Sequence, residues 1–263
     1  MIIDSMLHTI RANTCGEAWL NAARHLTDLP ATSTYNMVVG IENPTLVTLS
    51  DFHIVRTVDT FLISHGKSPT ATVAATIFPA GLYKRHGTKG VYEVYPDIYE
   101  EIKTQWGTYA MRMIRRQGPT GEYWPLKELV EKIRKHRNTT RLRSIYEIGM
   151  LIAGDLPIYD PDSDRTLPMG QPCLSHLTFK IIGSDLLSLT VLYRSHYYVE
   201  RVLGNFIGLS QLLAFVATEA DLRVGPLVCH SSYAKLESGK TWRSADVIQL
   251  LAACSGSIAP DRN

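Results

Sequence analysis

The sequence predicts an α+β fold in one domain spanning residues 1–263, and three observations carry that prediction. Apolar residues recur at helical spacing in four stretches, and they alternate at period two on either side of Gly183-Ser184-Asp185. No linker cuts the chain into two domains. Helices in one region and antiparallel strand pairs in another make an α+β pattern. In chain order, Cys15 to Leu26 places Trp19, Leu20, Ala23 and Leu26 on one helical face, with Asn13 and Thr14 as cap candidates. The run NMVVGIENP reads as a strand that stops at the Asn43-Pro44 turn. Tyr92 to Met113 reads as one helix through Ile98, Ile102, Tyr109 and Met113, and Trp124 to His136 as a second with Leu126, Leu129, Val130 and Ile133 inward. Arg143 to Ile152 is strand-like, and Ala153 to Gly170 is a loop rich in Pro, Gly and Asp. LSHLTFKII and LLSLTVLYRS then form a hairpin. Val202 to Ala220 is a long apolar helix, and RVGPLVCHSSYAK returns as a strand.

Composition narrows the function classes. The 263 residues carry 27 basic and 25 acidic side chains, a net charge of +2, which argues against a dedicated nucleic-acid binder. The apolar fraction of 45 % excludes a disordered chain. Cys15, Cys173, Cys229 and Cys254 form no C-x-x-C pair, so neither a disulfide framework nor a zinc site is expected. The start MIIDSMLHTIR carries Asp4 and no long apolar core, so no signal peptide is expected. Polar residues Asn205, Ser210 and Gln211 make the apolar stretch a buried helix in preference to a membrane span. The expectation is a soluble, cytoplasmic protein with no metal: the histidines show no ligand spacing, and neither a P-loop nor a G-x-G-x-x-G occurs.

Several side chains stand out as candidates. Met111 to Arg143 holds ten Lys and Arg against three Glu. Most of these suit a solvated helix face, but Arg141 and Arg143 would point the same way in an extended segment, a pair of forks suited to phosphate. Cys173, in GQPCLS between a loop and a strand, is placed to be half exposed, as a nucleophilic thiolate requires. The other three cysteines read as buried. Arg194 emerges where the apolar strand LSLTVL stops, as a surface charge or an anion ligand. Asn205, within an apolar helix, needs partners: it caps a helix start or reads the edge of a base. His230, Ser231 and Ser232 are polar contacts or a turn.

Taken together, these positions resemble the thymidylate synthase family, which includes the pyrimidine nucleotide hydroxymethylases. That family carries a P-P-C nucleophile motif, then a Q-R-S motif, then an F-N pair on the next helix. Here QPC at Cys173, YRS at Arg194-Ser195 and Asn205 follow in the same order at similar spacing. The S-R-R phosphate motif is similar to Thr140-Arg141-Leu142-Arg143, and WGTYAMR at Tyr109 resembles the Y-G segment. The similarity spans roughly residues 35 to 240 at low identity. It implies a thymidylate synthase-like fold, a large twisted mixed sheet at a homodimer interface with flanking helices. It also implies catalysis by Cys173, adding to C6 of a pyrimidine nucleotide, with the Tyr109 hydroxyl near the reacting ring. Arg194, Ser195, Arg141 and Arg143 would hold the phosphate, Arg141 reaching it from the partner subunit, and Asn205 would pair with a uracil-type base. The one-carbon donor implied is 5,10-methylenetetrahydrofolate, for methyl or hydroxymethyl transfer.

The departures are specific. Val73, Ala74 and Ala75 stand where the family has its glutamate, Tyr197 where an aspartate contacts folate, and Lys235 and Glu237 where a His and a Tyr hold the sugar. Two other functions are therefore carried alongside: folate-independent chemistry at C5 by the same cysteine adduct, and a non-catalytic nucleotide-binding paralogue.

Overall fold

The computed structural model describes residues 7–102, 107–138, 144–150, 172–237 and 241–256. In chain order these are β1 (His8–Ala12), α1 (Cys15–Thr27), β2 (Ser33–Ile41), α2 (Leu49–Ser64), α3 (Thr70–Ile77), α4 (Ala80–Lys89) and α5 (Tyr95–Ile102). There follow α6 (Tyr109–Ile114), a small hairpin of β3 (Arg116–Gly118) and β4 (Gly121–Tyr123), α7 (Pro125–His136) and β5 (Glu147–Gly149). The second half holds β6 (Leu174–Ile182), β7 (Leu186–Tyr193), β8 (His196–Tyr197), α8 (Leu203–Glu219), β9 (Arg223–Lys235) and α9 (Ser244–Cys254).

One seven-stranded sheet runs in the order β1-β2-β9-β7-β6-β5, with β8 beside the far end of β9. The β6–β7 hairpin is antiparallel, as expected around Gly183. The sheet is mixed, as the resemblance implies: beside its antiparallel pairs, β9 runs parallel to β7 and β1 parallel to β2. The physical reason is the connection: α8 carries the chain back across the sheet, so the next strand re-enters in the same direction. The fold is thus mixed α/β, a mixed sheet with flanking helices, compatible with α+β.

The sheet's two faces differ. Met37, Val39 and Ile41 of β2, Leu177 and Phe179 of β6, Val191 of β7 and Leu227 and Cys229 of β9 are buried, and α1 and α8 pack against these strands. Helix α8 is apolar nearly all round, which makes it a central helix. With the wide turn before it, it is long and apolar enough to cross a membrane, yet 72 % of its most apolar window is buried inside the protein. Across the other face, Val38, His230, Leu192 and His176 lie side by side on β2, β9, β7 and β6, half-buried. At its edge Glu147 accepts hydrogen bonds from His176, Thr178 and Lys180.

The single helix expected over Tyr92 to Met113 is also corrected. Helix α5 ends at Ile102, and α6 starts afresh at Tyr109. Gly107 at φ 88 and an extended Thr108 break the run, and the Thr108 hydroxyl caps α6 by accepting from the Met111 N–H. Strand β5 covers only part of the expected strand, and the expected loop Ala153 to Gly170 lies outside the described residues.

Candidate functional site

Cys173 immediately precedes β6 and is half-buried, whereas Cys15, Cys229 and Cys254 are buried. Three backbone and side-chain bonds fix its position. Its N–H donates to the Tyr109 hydroxyl oxygen at 3.0 Å, and the Leu174 N–H donates to the same oxygen at 3.3 Å. Its carbonyl accepts from the Arg194 N–H at 2.8 Å, because the residues flanking the hairpin remain paired at its open end. The Arg194 side chain turns back along the same segment, and Nη2 donates to the Pro172 carbonyl at 2.7 Å. Its Nε is buried with no hydrogen-bond partner among the described residues, a donor held ready. The structure therefore brings Tyr109, Cys173 and Arg194 together.

Arg194 emerges where the strand line breaks. β7 pairs with β9 up to Tyr193, and β8 resumes the pairing at His196, so Arg194 and Ser195 occupy the gap. Ser195 is half-buried and makes no hydrogen bond among the described residues. Arg141 and Arg143 lie outside the described residues.

A second cation was not singled out in the sequence. Arg201 sits in the wide turn Tyr198–Val202 that leads into α8, paired with Glu200 at 3.1 Å, and Glu200 also meets Lys67 at 3.4 Å. A cation beside a helix N-terminus opposes the helix dipole, and that anomaly was the available signal. Burial pushes the Cys173 thiol above its ordinary value, while the charges of Arg194 and Arg201 pull it the other way. Desolvation outweighs both arginines. Tyr109 is raised chiefly by its own burial, with Cys173 adding to the effect.

Asn205 lies in the first turn of α8 but does not cap it; the N-cap residue is Val202, with no side-chain cap bond. Its Nδ2 instead lies 2.8 Å from Nε2 of His196, whose Nδ1 is 3.0 Å from the Ser231 hydroxyl. All three side chains are buried. The His196 ring stacks on Tyr193 at 3.9 Å and 8°. Tyr193 pairs with Leu174 across the hairpin and feels the charge of Cys173 and Tyr109, so the Asn205 chain adjoins the cysteine. Of the other candidates, Ser231 faces inward, whereas His230 and Ser232 alternate to the other face, where His230 Nε2 is 3.2 Å from Asn36 Oδ1. They are strand residues, not a turn.

Val73 and Ala74 are buried where α3 meets α8, and Ala75 is exposed. Among the described residues no three His, Cys, Asp or Glu side chains converge as a metal site would need. An apolar cavity of about 360 Å³, lined by Leu46, Val47, Phe52 and Ile207 among others, includes none of Cys173, Arg194 or Asn205. No protein-family model matches the chain, and no curated protein matches it in sequence.

Proposed function

We propose that this chain is a thymidylate synthase-like enzyme that acts at C5 of a uracil-type pyrimidine nucleotide through a covalent Cys173–C6 adduct. The observation that carries the reading is the half-buried Cys173, its backbone held by Tyr109 and Arg194 and its thiol within electrostatic reach of two arginines, Arg194 and Arg201. The thiolate adds to C6, and the C5–C6 electron pair moves to C5 with charge spread onto O4. An electrophile then bonds to C5, the C5 proton leaves, and the pair re-forms the double bond as Cys173 departs. Arg194 and Arg201 favour the thiolate and suit the 5′-phosphate as charge-assisted donors. Asn205 supplies an amide to the base.

For 5,10-methylenetetrahydrofolate the residues present fit poorly. No carboxylate stands at Val73 or Ala74, which are buried against α8, and Tyr197 replaces the aspartate. The missing carboxylates favour folate-independent C5 chemistry as a second reading, in which the electrophile at C5 is a solvent proton. At the sugar position Glu237 has a buried carboxylate oxygen with no partner among the described residues, an acceptor suited to a ribose hydroxyl. The half-buried outer sheet face, with Val38, Leu192 and Val228, is the surface suited to a homodimer.

The test is exchange at C5. Incubation with UMP or dUMP in deuterated buffer, followed by proton NMR of C5–H, is expected to show exchange that Cys173→Ala abolishes. Mass spectrometry with 5-fluoro-UMP, 5-fluoro-dUMP and 5-fluoro-CMP, with and without the folate, reports the adduct and its cofactor. No exchange and no adduct under any condition would leave only a nucleotide-binding protein.

A further inference from the structure

Asn205 makes one hydrogen bond among the described residues, and its partner is a histidine that the C5 chemistry does not use. The contact joins two nitrogens, Asn205 Nδ2 and His196 Nε2, at 2.8 Å. An amide nitrogen has no lone pair to offer, so Nε2 must accept. A neutral imidazole carries one proton, which then sits on Nδ1 and donates to the Ser231 hydroxyl at 3.0 Å.

The surroundings hold this arrangement still. His196 is 2 % exposed and Ser231 is fully buried. The ring lies flat on Tyr193 and meets the edges of Tyr198 at 5.7 Å and Phe206 at 6.4 Å, contacts that fix its plane. Burial drives its pKa down to about 3, so the ring stays neutral and keeps a lone pair on one nitrogen.

Uracil and cytosine present reversed edges. Uracil has an N3–H donor beside the O4 acceptor, and cytosine has an N3 acceptor beside an N4 amino donor. An unrestrained asparagine can rotate its amide by half a turn and serve either base. With its nitrogen tied to His196, Asn205 keeps its oxygen and its remaining N–H in one order. The oxygen makes no hydrogen bond among the described residues and is available to a ring N–H.

We propose that His196 is a positioning residue that selects the base: held by Ser231 as the Nδ1–H tautomer, it locks the Asn205 amide so that a uracil-type edge fits and a cytosine-type edge does not. The proposal rests on reading Asn205 as the base-contacting residue of the proposed function. The opposite tautomer would reverse the amide and the preference together.

Two measurements test it. Nitrogen-15 NMR of histidine-labelled protein should show His196 protonated at Nδ1 from about pH 6 to pH 8, well above the pH at which its buried ring would take a second proton. Affinities for UMP, dUMP, CMP and dCMP are then compared in the wild type, Ser231→Ala and His196→Gln. The wild type is expected to prefer uridine nucleotides by about 100-fold or more, and both variants to cut that ratio at least about tenfold. Ser231→Ala removes a single hydroxyl, so it keeps the test alive if His196→Gln does not fold. A proton on Nε2, or an unchanged ratio in folded Ser231→Ala, overturns the proposal. Equal weakening of all four nucleotides means His196 is merely structural, which also overturns it. If none of the four binds the wild type, the nucleotide reading itself falls and base selection falls with it. The tautomer measurement separates these cases.

Discussion

At the scale of single residues, the thiol of Cys173 is governed by two opposed effects of comparable kind. Burial withholds water from the thiolate, and Arg194 and Arg201 return part of that loss as favourable charge. The net direction is upward, so the sign for reactivity is clear: thiolate is scarce at neutral pH and accumulates as pH rises past the ordinary value of 9.0. Alkylation of Cys173 by iodoacetamide, followed by peptide mass spectrometry, should therefore keep accelerating with pH beyond that value. Arg194→Ala and Arg201→Ala should each push the midpoint further up. A rate that levels off below the ordinary thiol value would contradict this balance. Cys15 and Cys229, which burial raises to about 12, should stay unlabelled in the folded protein. Cys173, Tyr109, Arg194 and Asn205 were legible in the sequence because their order and spacing survive without side-chain geometry. Arg201 and His196 were harder to see: the one local sign of Arg201 is its place beside a helix N-terminus, and nothing local distinguishes a histidine at a strand end from a surface one.

At the scale of elements, the contact between α3 and α8 sets where Asn205 sits. Gly204 and Gly208 let the two helices touch: a Cβ at Gly204 would lie 2.6 Å from the Val73 Cβ, and one at Gly208 would lie 2.7 Å from the Ala74 carbonyl oxygen. Alanine at Gly208 would gain about 1 kcal/mol in helix propensity. The overlap with backbone should cost about 1–3 kcal/mol, and it cannot be relieved by a side-chain rotation. Gly208→Ala should thus lower stability by about 0–2 kcal/mol in urea unfolding, the gain and cost taken together. Gly204→Ala, one residue before Asn205, should also disturb the His196 contact and weaken uridine nucleotide binding. A stabilised Gly208→Ala would mean the helices separate easily. The capping box of α2 is written in the sequence as Thr48 and Asp51, three residues apart. The stop at Gly107 was harder to see because the apolar spacing continues through it.

At the scale of the whole molecule, one face of the sheet carries no helix layer among the described residues. Val38, Val228 and Leu192 sit there among His230, His176 and Thr190, apolar enough to pair yet incompletely buried. The proposed homodimer would cover this face, so light scattering should give a dimer for the wild type, and Val38→Glu with Val228→Glu should give a folded monomer. A wild-type monomer at micromolar concentration, or a dimer untouched by both charges, would remove the sheet from the interface. The sequence by itself determined the local elements whose periodicity is complete within a few turns: α1, α7, α8, the β6–β7 hairpin and β9. It also determined the order of chemical groups along the chain, from Tyr109 through Cys173 and Arg194 to Asn205. Only the tertiary structure decided that β9 lies parallel to β7, that α3 presses on Gly204 and Gly208, and that His196 rather than a helix terminus takes the Asn205 amide. The physical reason is that periodicity records which face of an element avoids water, whereas pairing direction, close helix approach and buried hydrogen bonds depend on residues far apart in the chain meeting at fixed distances.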